Sequence, residues 1–164
     1  MSIIDKIYEE ESVLNDNIFH IVRDKHPICH NHLMAMSKKR VSGSAKLEME
    51  YHNQLFKKIL HFYEGDFYFF ERGNASFCTS LHEESCSHIH FIPSLYFDPS
   101  LVSLLIEETD KIGIAFEKIQ NIESEYFYFG CSTNSFFYQL KEKPKKQFFR
   151  EFFTSNLVNH YLQK

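Results

Sequence analysis

Cys86-Ser87-His88-Ile89-His90-Phe91-Ile92-Pro93 alternates polar and apolar residues and carries two histidines two positions apart. Read as a strand, it points His88 and His90 to one face, because side chains alternate with a period of two. Ile89, Phe91 and Ile92 then serve the core. Two imidazoles on one face can act as a pair, one attacking and the other giving or holding a proton. They can also bind a metal, or stand as plain polar residues on the wet face of a sheet.

Upstream, residues 75–85 form a loop of small and polar residues, long enough to carry function. Before it, Phe67-Tyr68-Phe69-Phe70 reads as a buried strand by its aromatic content. Ser44 is placed to cap a long helix in which Leu47, Tyr51, Leu55, Ile59 and Phe62 recur at spacings of three and four. Glu64-Gly65-Asp66 ends that helix. Further back, Ser12-Val13-Leu14, Ile18-Phe19-His20-Ile21-Val22-Arg23 and His32-Leu33-Met34-Ala35-Met36 read as short strands. Asn15-Asp16-Asn17 supplies turn chemistry between the first two, and Pro27 forces an extended or turn conformation at His26. Residues 3–11 are a lead-in with room for one helical turn.

Downstream, Asp98-Pro99 opens a helix with Leu101, Leu104 and Leu105 on its face and Gly113 at its end. Tyr126-Phe127-Tyr128-Phe129 and Phe136-Phe137-Tyr138 flank a turn and form a hairpin. Pro144 opens a last helix whose Phe148, Phe149, Phe152, Phe153 and Leu157 face the core. No repeat, linker or domain boundary interrupts the chain.

The 164 residues suit one domain with a real core. A formal charge of -4 gives no global basic footprint for nucleic acid. No apolar run approaches the roughly 18–20 residues that span a membrane, and Met1-Ser2-Ile3-Ile4-Asp5 lacks the pattern of a secretory leader. Cys29, Cys78, Cys86 and Cys131 then read as thiols of a soluble cytoplasmic protein rather than a disulfide framework. His20, His26, His52, His61 and His160 have no motif around them and read as surface or satisfied residues. Cys78 and Cys131 read as small core or loop residues.

The order of these elements, with the alternating histidine strand, resembles the histidine-triad (HIT) superfamily, whose signature is His-φ-His-φ-His-φ-φ, often followed by proline. Aligned on Pro93, Cys86 takes the first histidine position, His88 the middle one and His90 the third. Asp24-Lys25-His26-Pro27 leading to His32 and Ser37-Lys38-Lys39 is similar to a second family segment, with His32 in the place of its histidine. Phe69-Phe70-Glu71-Arg72-Gly73 resembles the family's Phe-Glu-His-Gly turn, and Pro144-Lys145-Lys146-Gln147-Phe148-Phe149-Arg150 the Pro-x-x-Gln-Phe-Leu-Arg of some bacterial members. The resemblance covers about residues 5–95, with a weaker echo to about 155, leaving residues 96–164 as a C-terminal extension of a single domain. The chain departs from the pattern at Cys86, at Ser87, in the acidic His82-Glu83-Glu84-Ser85 and at Glu71-Arg72.

The resemblance implies an α+β HIT-like fold, a mainly antiparallel sheet of about five strands with packed helices, in a homodimer. It implies a nucleotide-conjugate hydrolase or nucleotidyltransferase that passes through a covalent nucleotidyl-histidine and needs no metal or other cofactor. By the same mapping His88 is the nucleophile, His90 bonds phosphate or ester oxygens, and His32 supports that strand, with Cys86 completing the triad. Asp24 holds the ribose hydroxyls, and Ile18, Phe19 and Ile21 wall the base. Arg150 can add a phosphate contact, since a guanidinium fork matches phosphate. Two other readings stand beside this one. A zinc site could draw on Cys29, His30, His32, Cys78, His82, Cys86, His88 and His90, although no segment has paired Cys-x2-Cys spacing. A non-catalytic nucleotide-binding or interaction protein would account for the Cys86 substitution and for the aromatic-rich C-terminal half.

Overall fold

The computed structural model describes residues 3–75, 86–118 and 121–158. Its centre is the strand that carries the histidine pair, His88–Pro93 (β4), with strands paired along both edges. On one side lie Leu33–Ser37 (β2) and then Phe19–Arg23 (β1); on the other lie Phe67–Gly73 (β3), Tyr126–Cys131 (β6), Ser135–Leu140 (β7) and Gly113–Phe116 (β5). Every pair is antiparallel, giving the order β1-β2-β4-β3-β6-β7-β5. The α+β, antiparallel expectation is met, but the sheet has seven strands where about five were expected. The extra breadth comes from downstream: β5, β6 and β7 join the same sheet through β3.

Helices Ile3–Tyr8 (α1), Met49–Tyr63 (α2), Leu101–Asp110 (α3) and Phe148–Ser155 (α4) cover the two faces unequally. Leu55 and Ile59 of α2 pack on Phe19, Ile21, Leu33, Phe69, Phe91 and Tyr128. The opposite face takes α3 and α4 on Tyr68, Phe70, Phe127 and Phe129, and α1 on Val22, Met34 and Met36. Strands buried on both faces need apolar side chains at odd and even positions alike, which explains the Phe and Tyr runs. Each fully buried phenylalanine adds about 1.5–3 kcal/mol of transfer free energy. Among the described residues, no helix is long and apolar enough to cross a membrane.

Local differences from the sequence expectations have identifiable causes. Residues 12–14 make only an isolated bridge, Leu14 to Ile21, rather than a strand. Asp16 instead accepts the amide hydrogens of Ile18 and Phe19, each at 2.8 Å, and so launches β1. Ser44 sits in a short 3-10 turn, Ser44–Lys46, and caps no α-helix; α2 begins at Met49 with Glu48 before it. Gly113 starts β5 rather than ending α3, and α3 begins after Ser100, whose amide and hydroxyl bond Asp98. The last helix starts at Phe148, with Gln147 in the left-handed conformation (φ 61°), rather than at Pro144.

Candidate active site

The period of two in β4 places the histidines as expected. Ile89 and Phe91 enter the core beneath α2, and His88 and His90 take the other face. Lateral pairing sets His88 beside Met36, and His90 between Met34 and Phe70. The helices α1 and α4 cover the sheet to either side of this row. His88 and His90 line a pocket of about 430 Å³ with Ile7, Val22, Met34 and Arg150. That volume falls in the usual range for a small-molecule site.

The tautomer of His88 follows from one contact. Its Nδ1 lies 2.7 Å from the Cys86 carbonyl oxygen, which can only accept, so Nδ1 carries the proton and Nε2 the lone pair. Burial, and then the charge of His90, push its pKa down to about 4. The ring is therefore neutral at pH 7, the form in which an imidazole is a nucleophile.

A buried relay holds His90. The Ile28 amide donates to His32 Nδ1 at 3.0 Å. Neutral His32 must then carry its proton on Nε2, which donates to His90 Nδ1 at 2.9 Å. His90, with Nδ1 accepting, keeps its own proton on Nε2. Its ring stacks on Phe70, with centroids 4.7 Å apart. Asp24 Oδ2 lies 3.3 Å from His90 Nδ1, 3.6 Å from His32 Nε2 and 2.7 Å from Arg150 Nη2. Burial pushes the His32 pKa down to about 3, with the charge of His90 adding to the shift. Burial also lowers His90 against the pull of Asp24. For Asp24, burial acts to raise the carboxyl, but in the acid range where it titrates, a protonated His90, bonded through Nδ1–H, and then protonated His32 and Arg150 outweigh burial and hold the group well below the ordinary range. With both imidazoles neutral at pH 7, Arg150 is the cation that balances Asp24.

A second buried network sits on the other face of the sheet. Glu71 is fully buried and accepts from Ser87 Oγ at 2.9 Å, Tyr126 Oη at 2.8 Å, Ser44 Oγ at 2.6 Å and the Ser44 amide at 3.0 Å. It ties the residue before His88 to β3 and β6. Burial pushes its carboxyl upward while the donors pull it down. His52, one of the histidines read as satisfied, joins this network through the Ser44 carbonyl at 2.8 Å.

The residues named from sequence divide accordingly. His32, His90, Asp24 and Arg150 come together, and His88 lines one pocket with His90, Asp24 and Arg150. Cys86 shares the sheet face with His88 but packs against Ile4, Ile7 and Met36 beneath α1. Its thiol lies 3.4 Å from Tyr8 Oη, and burial raises its pKa. Its contribution to the site is its carbonyl. Ile18, Phe19 and Ile21 do not wall the pocket: Phe19 and Ile21 are buried in the α2 core, with Ile18 packed on it. The wall comes from Val22 in the opposite phase and its neighbour Met34. Asp24 lines the pocket, with Oδ1 accepting the His26 amide at 2.8 Å and Oδ2 accepting from Arg150 at 2.7 Å. Sequence reading missed α1, Val22 and Met34 as pocket walls. The alternation that located His90 could have found the last two. Cys78, His82, His160 and most of the 75–85 loop lie outside the described residues.

Among the described residues, one group brings at least three metal-capable donors within 4.8 Å of one another: Asp24, His32 and His90. Cys86 and His88 are not in it. Ligation by His32 would need a lone pair on Nε2, but the Ile28 amide points into Nδ1 and keeps the proton on Nε2. Arg150 already places a cation against Asp24. The cluster is thus built for hydrogen bonding between imidazoles rather than for a cation.

No family model matches the chain, and no curated protein matches its sequence.

Proposed function

We propose that this chain is a HIT-like enzyme that acts at the α-phosphate of nucleotide conjugates, with His88 as the nucleophile. The observation that carries the reading is the bond from His88 Nδ1 to the Cys86 carbonyl, which puts the lone pair of a neutral imidazole on Nε2 in a residue that lines the pocket. Nε2 forms a bond to phosphorus as the bond to the departing group breaks with its electron pair. The positive charge that develops on the ring is shared with the Cys86 carbonyl through Nδ1–H. His90, its proton on Nε2, donates to a phosphate or ester oxygen, the kind of positioned donor worth about 10²–10⁴-fold in rate. Water or an acceptor phosphate then attacks phosphorus, and the P–N electron pair returns to Nε2.

His32, Asp24 and Arg150 act by orienting His90. Arg150 uses two of its five N–H groups on Asp24 and the His26 carbonyl, so the others can serve a phosphate. Ile7, Val22 and Met34 offer the nucleoside an apolar wall. By the same family resemblance the protein works as a homodimer, and light scattering should give twice the chain mass.

The test is a single-turnover incubation with α-labelled dinucleoside polyphosphates and with adenosine phosphoramidate, on the wild type and His88→Ala. Acid-labile label on the wild type alone supports the covalent route. Bound nucleotide with neither label nor turnover refutes it.

A further inference from the structure

The strand β5 ends the sheet on one side. Its inner edge pairs with β7, and among the described residues no strand pairs with its outer edge. The Lys141 amide donates to the Ile112 carbonyl at 2.8 Å, so Ile112 turns its polar groups toward β7. Backbone polar groups alternate sides along a strand. Ile114 and Phe116 therefore bond inward as well, and Gly113 and Ala115 turn N–H and C=O outward. Ile114 and Phe116 lie opposite Gln139 and Phe137, which puts them on the face of the sheet that α2 packs against. Neither belongs to the core beneath that helix, and they are 48% and 43% exposed. An edge strand with exposed apolar side chains is a template for another strand. The part of the chain that carries the histidine-triad resemblance offers no comparable edge. The Val13 amide donates to the Ile21 carbonyl along β1 at 2.7 Å, and β3 is taken up by β6.

The charges around β5 select the partner. Asp110-Lys111-Ile112-Gly113-Ile114-Ala115-Phe116-Glu117-Lys118 is complementary to itself in the antiparallel sense. With Ile114 set opposite the partner's Ile114, Lys111 faces the partner's Glu117 and Asp110 the partner's Lys118, each pair opposite in sign. Moving the axis to Ala115 loses both pairs, because Glu117 then meets the partner's Gly113 and Lys118 the partner's Ile112. The backbone suits the first register. Gly113 exchanges both of its outward groups with the partner's Ala115, and symmetry repeats the exchange, giving four hydrogen bonds. We propose that β5 is the surface on which a second copy of this chain docks, pairing β5 with β5 about a two-fold axis at Ile114 and joining two seven-stranded sheets into one. The proposal rests on the homodimer of the reading above and places its contact in the C-terminal extension, outside the region of family resemblance. Ile114 and Phe116 of both copies then share one face and cover each other. Four residues make a short contact beside the roughly 1,200–2,000 Å² of stable complexes, so the dimer forms as concentration rises.

Sedimentation and light scattering over a concentration series test this on the full chain, with circular dichroism as the folding control. The wild type should pass from one to two chain masses. Ile114→Asp sets two carboxylates against each other at the axis and should raise the dimer dissociation constant about tenfold or more. Glu117→Lys sets Lys111 against a lysine in both copies and should raise it about fivefold. Adding Lys111→Glu to that variant reverses both members of the pair and should restore dimerisation. At the axis the facing Cα atoms lie about 4.5 Å apart, within the range a disulfide spans. Mild oxidation should therefore cross-link Ile114→Cys into pairs, but neither the wild type nor Leu60→Cys, whose side chain is exposed on α2. If the wild type dimerises and a folded Ile114→Asp dimerises equally well, or Ile114→Cys does not cross-link, the β5 surface is overturned while the homodimer stands. If masses grow past two chains, the two-fold contact is wrong, because such a contact closes on itself. If the wild type keeps one chain mass throughout, the homodimer and its surface both fall.

Discussion

The Ile28 amide points at His32 Nδ1 from 3.0 Å, and this one contact fixes the protonation of the next imidazole. It puts the His32 proton on Nε2, which hands a hydrogen bond to His90 Nδ1 and so keeps the His90 proton on the far nitrogen. Nitrogen-15 NMR of the imidazoles should report His32 and His90 as Nε2–H tautomers and His88 as Nδ1–H. His32→Ala strands the Ile28 amide and His90 Nδ1 and opens a cavity, at a cost of about 2–4 kcal/mol in urea unfolding.

The buried histidines also set an acid limit on stability. An unfolded chain protonates His32 and His88 near the ordinary 6.5, whereas the fold resists until about 3 and about 4 respectively. The unfolded state therefore binds more protons across that window, so stability is full above pH 6.5 and falls as pH drops toward 4. The slope from His32, which is 1% exposed, is at most about 1.4 kcal/mol per pH unit. Asp24, lowered in the fold, adds its own loss below its unfolded value near 3.8. Urea midpoints at pH 7.5, 5.5 and 4.5 should decline in that order, and a His32→Gln variant should flatten the decline.

Arg150 and Asp24 should behave as one unit. Arg150→Ala leaves a carboxylate that is 5% exposed without its cation, a loss of about 3–5 kcal/mol. Adding Asp24→Asn should restore part of it. Additive losses in the double-mutant cycle would show that the two residues do not couple.

The Glu71 network makes a steric prediction as well as a polar one. A Cβ on Gly73 would lie 1.9 Å from Tyr126 Cζ, in the ring whose hydroxyl bonds Glu71. Gly73→Ala should therefore cost about 1–3 kcal/mol or more and shift the indirect anchor of His88, Ser87. Thermal melts of Gly73→Ala and Gly65→Ala separate this from a general glycine effect, because the nearest atom to a Gly65 Cβ is 3.9 Å away.

The parts legible in sequence are those fixed by local period. Alternation put His88 and His90 on one face, and the two aromatic runs around Gly130 gave the β6–β7 hairpin. The phase of β1 is not legible in sequence because Phe19, Ile21 and Val22 are all apolar, so nothing local says which side meets α2. Ser44 looks like a helix cap because its true partner, Glu71, is 27 positions away. The Asp24–Arg150 pair spans 126 positions and has no local signature. The role of Cys86 was hidden for another reason: a backbone carbonyl serves the site, and its side chain does not reveal it.

The most direct measurement is mass spectrometry of wild-type protein quenched without acid during turnover of a nucleotide conjugate, followed by peptide mapping. One added nucleotidyl group on the peptide that carries His88, placed on that residue by fragmentation and absent from His88→Ala, is the expected result. A turning-over enzyme with no adduct, or with its adduct on His90, would contradict the assignment of His88 as the nucleophile.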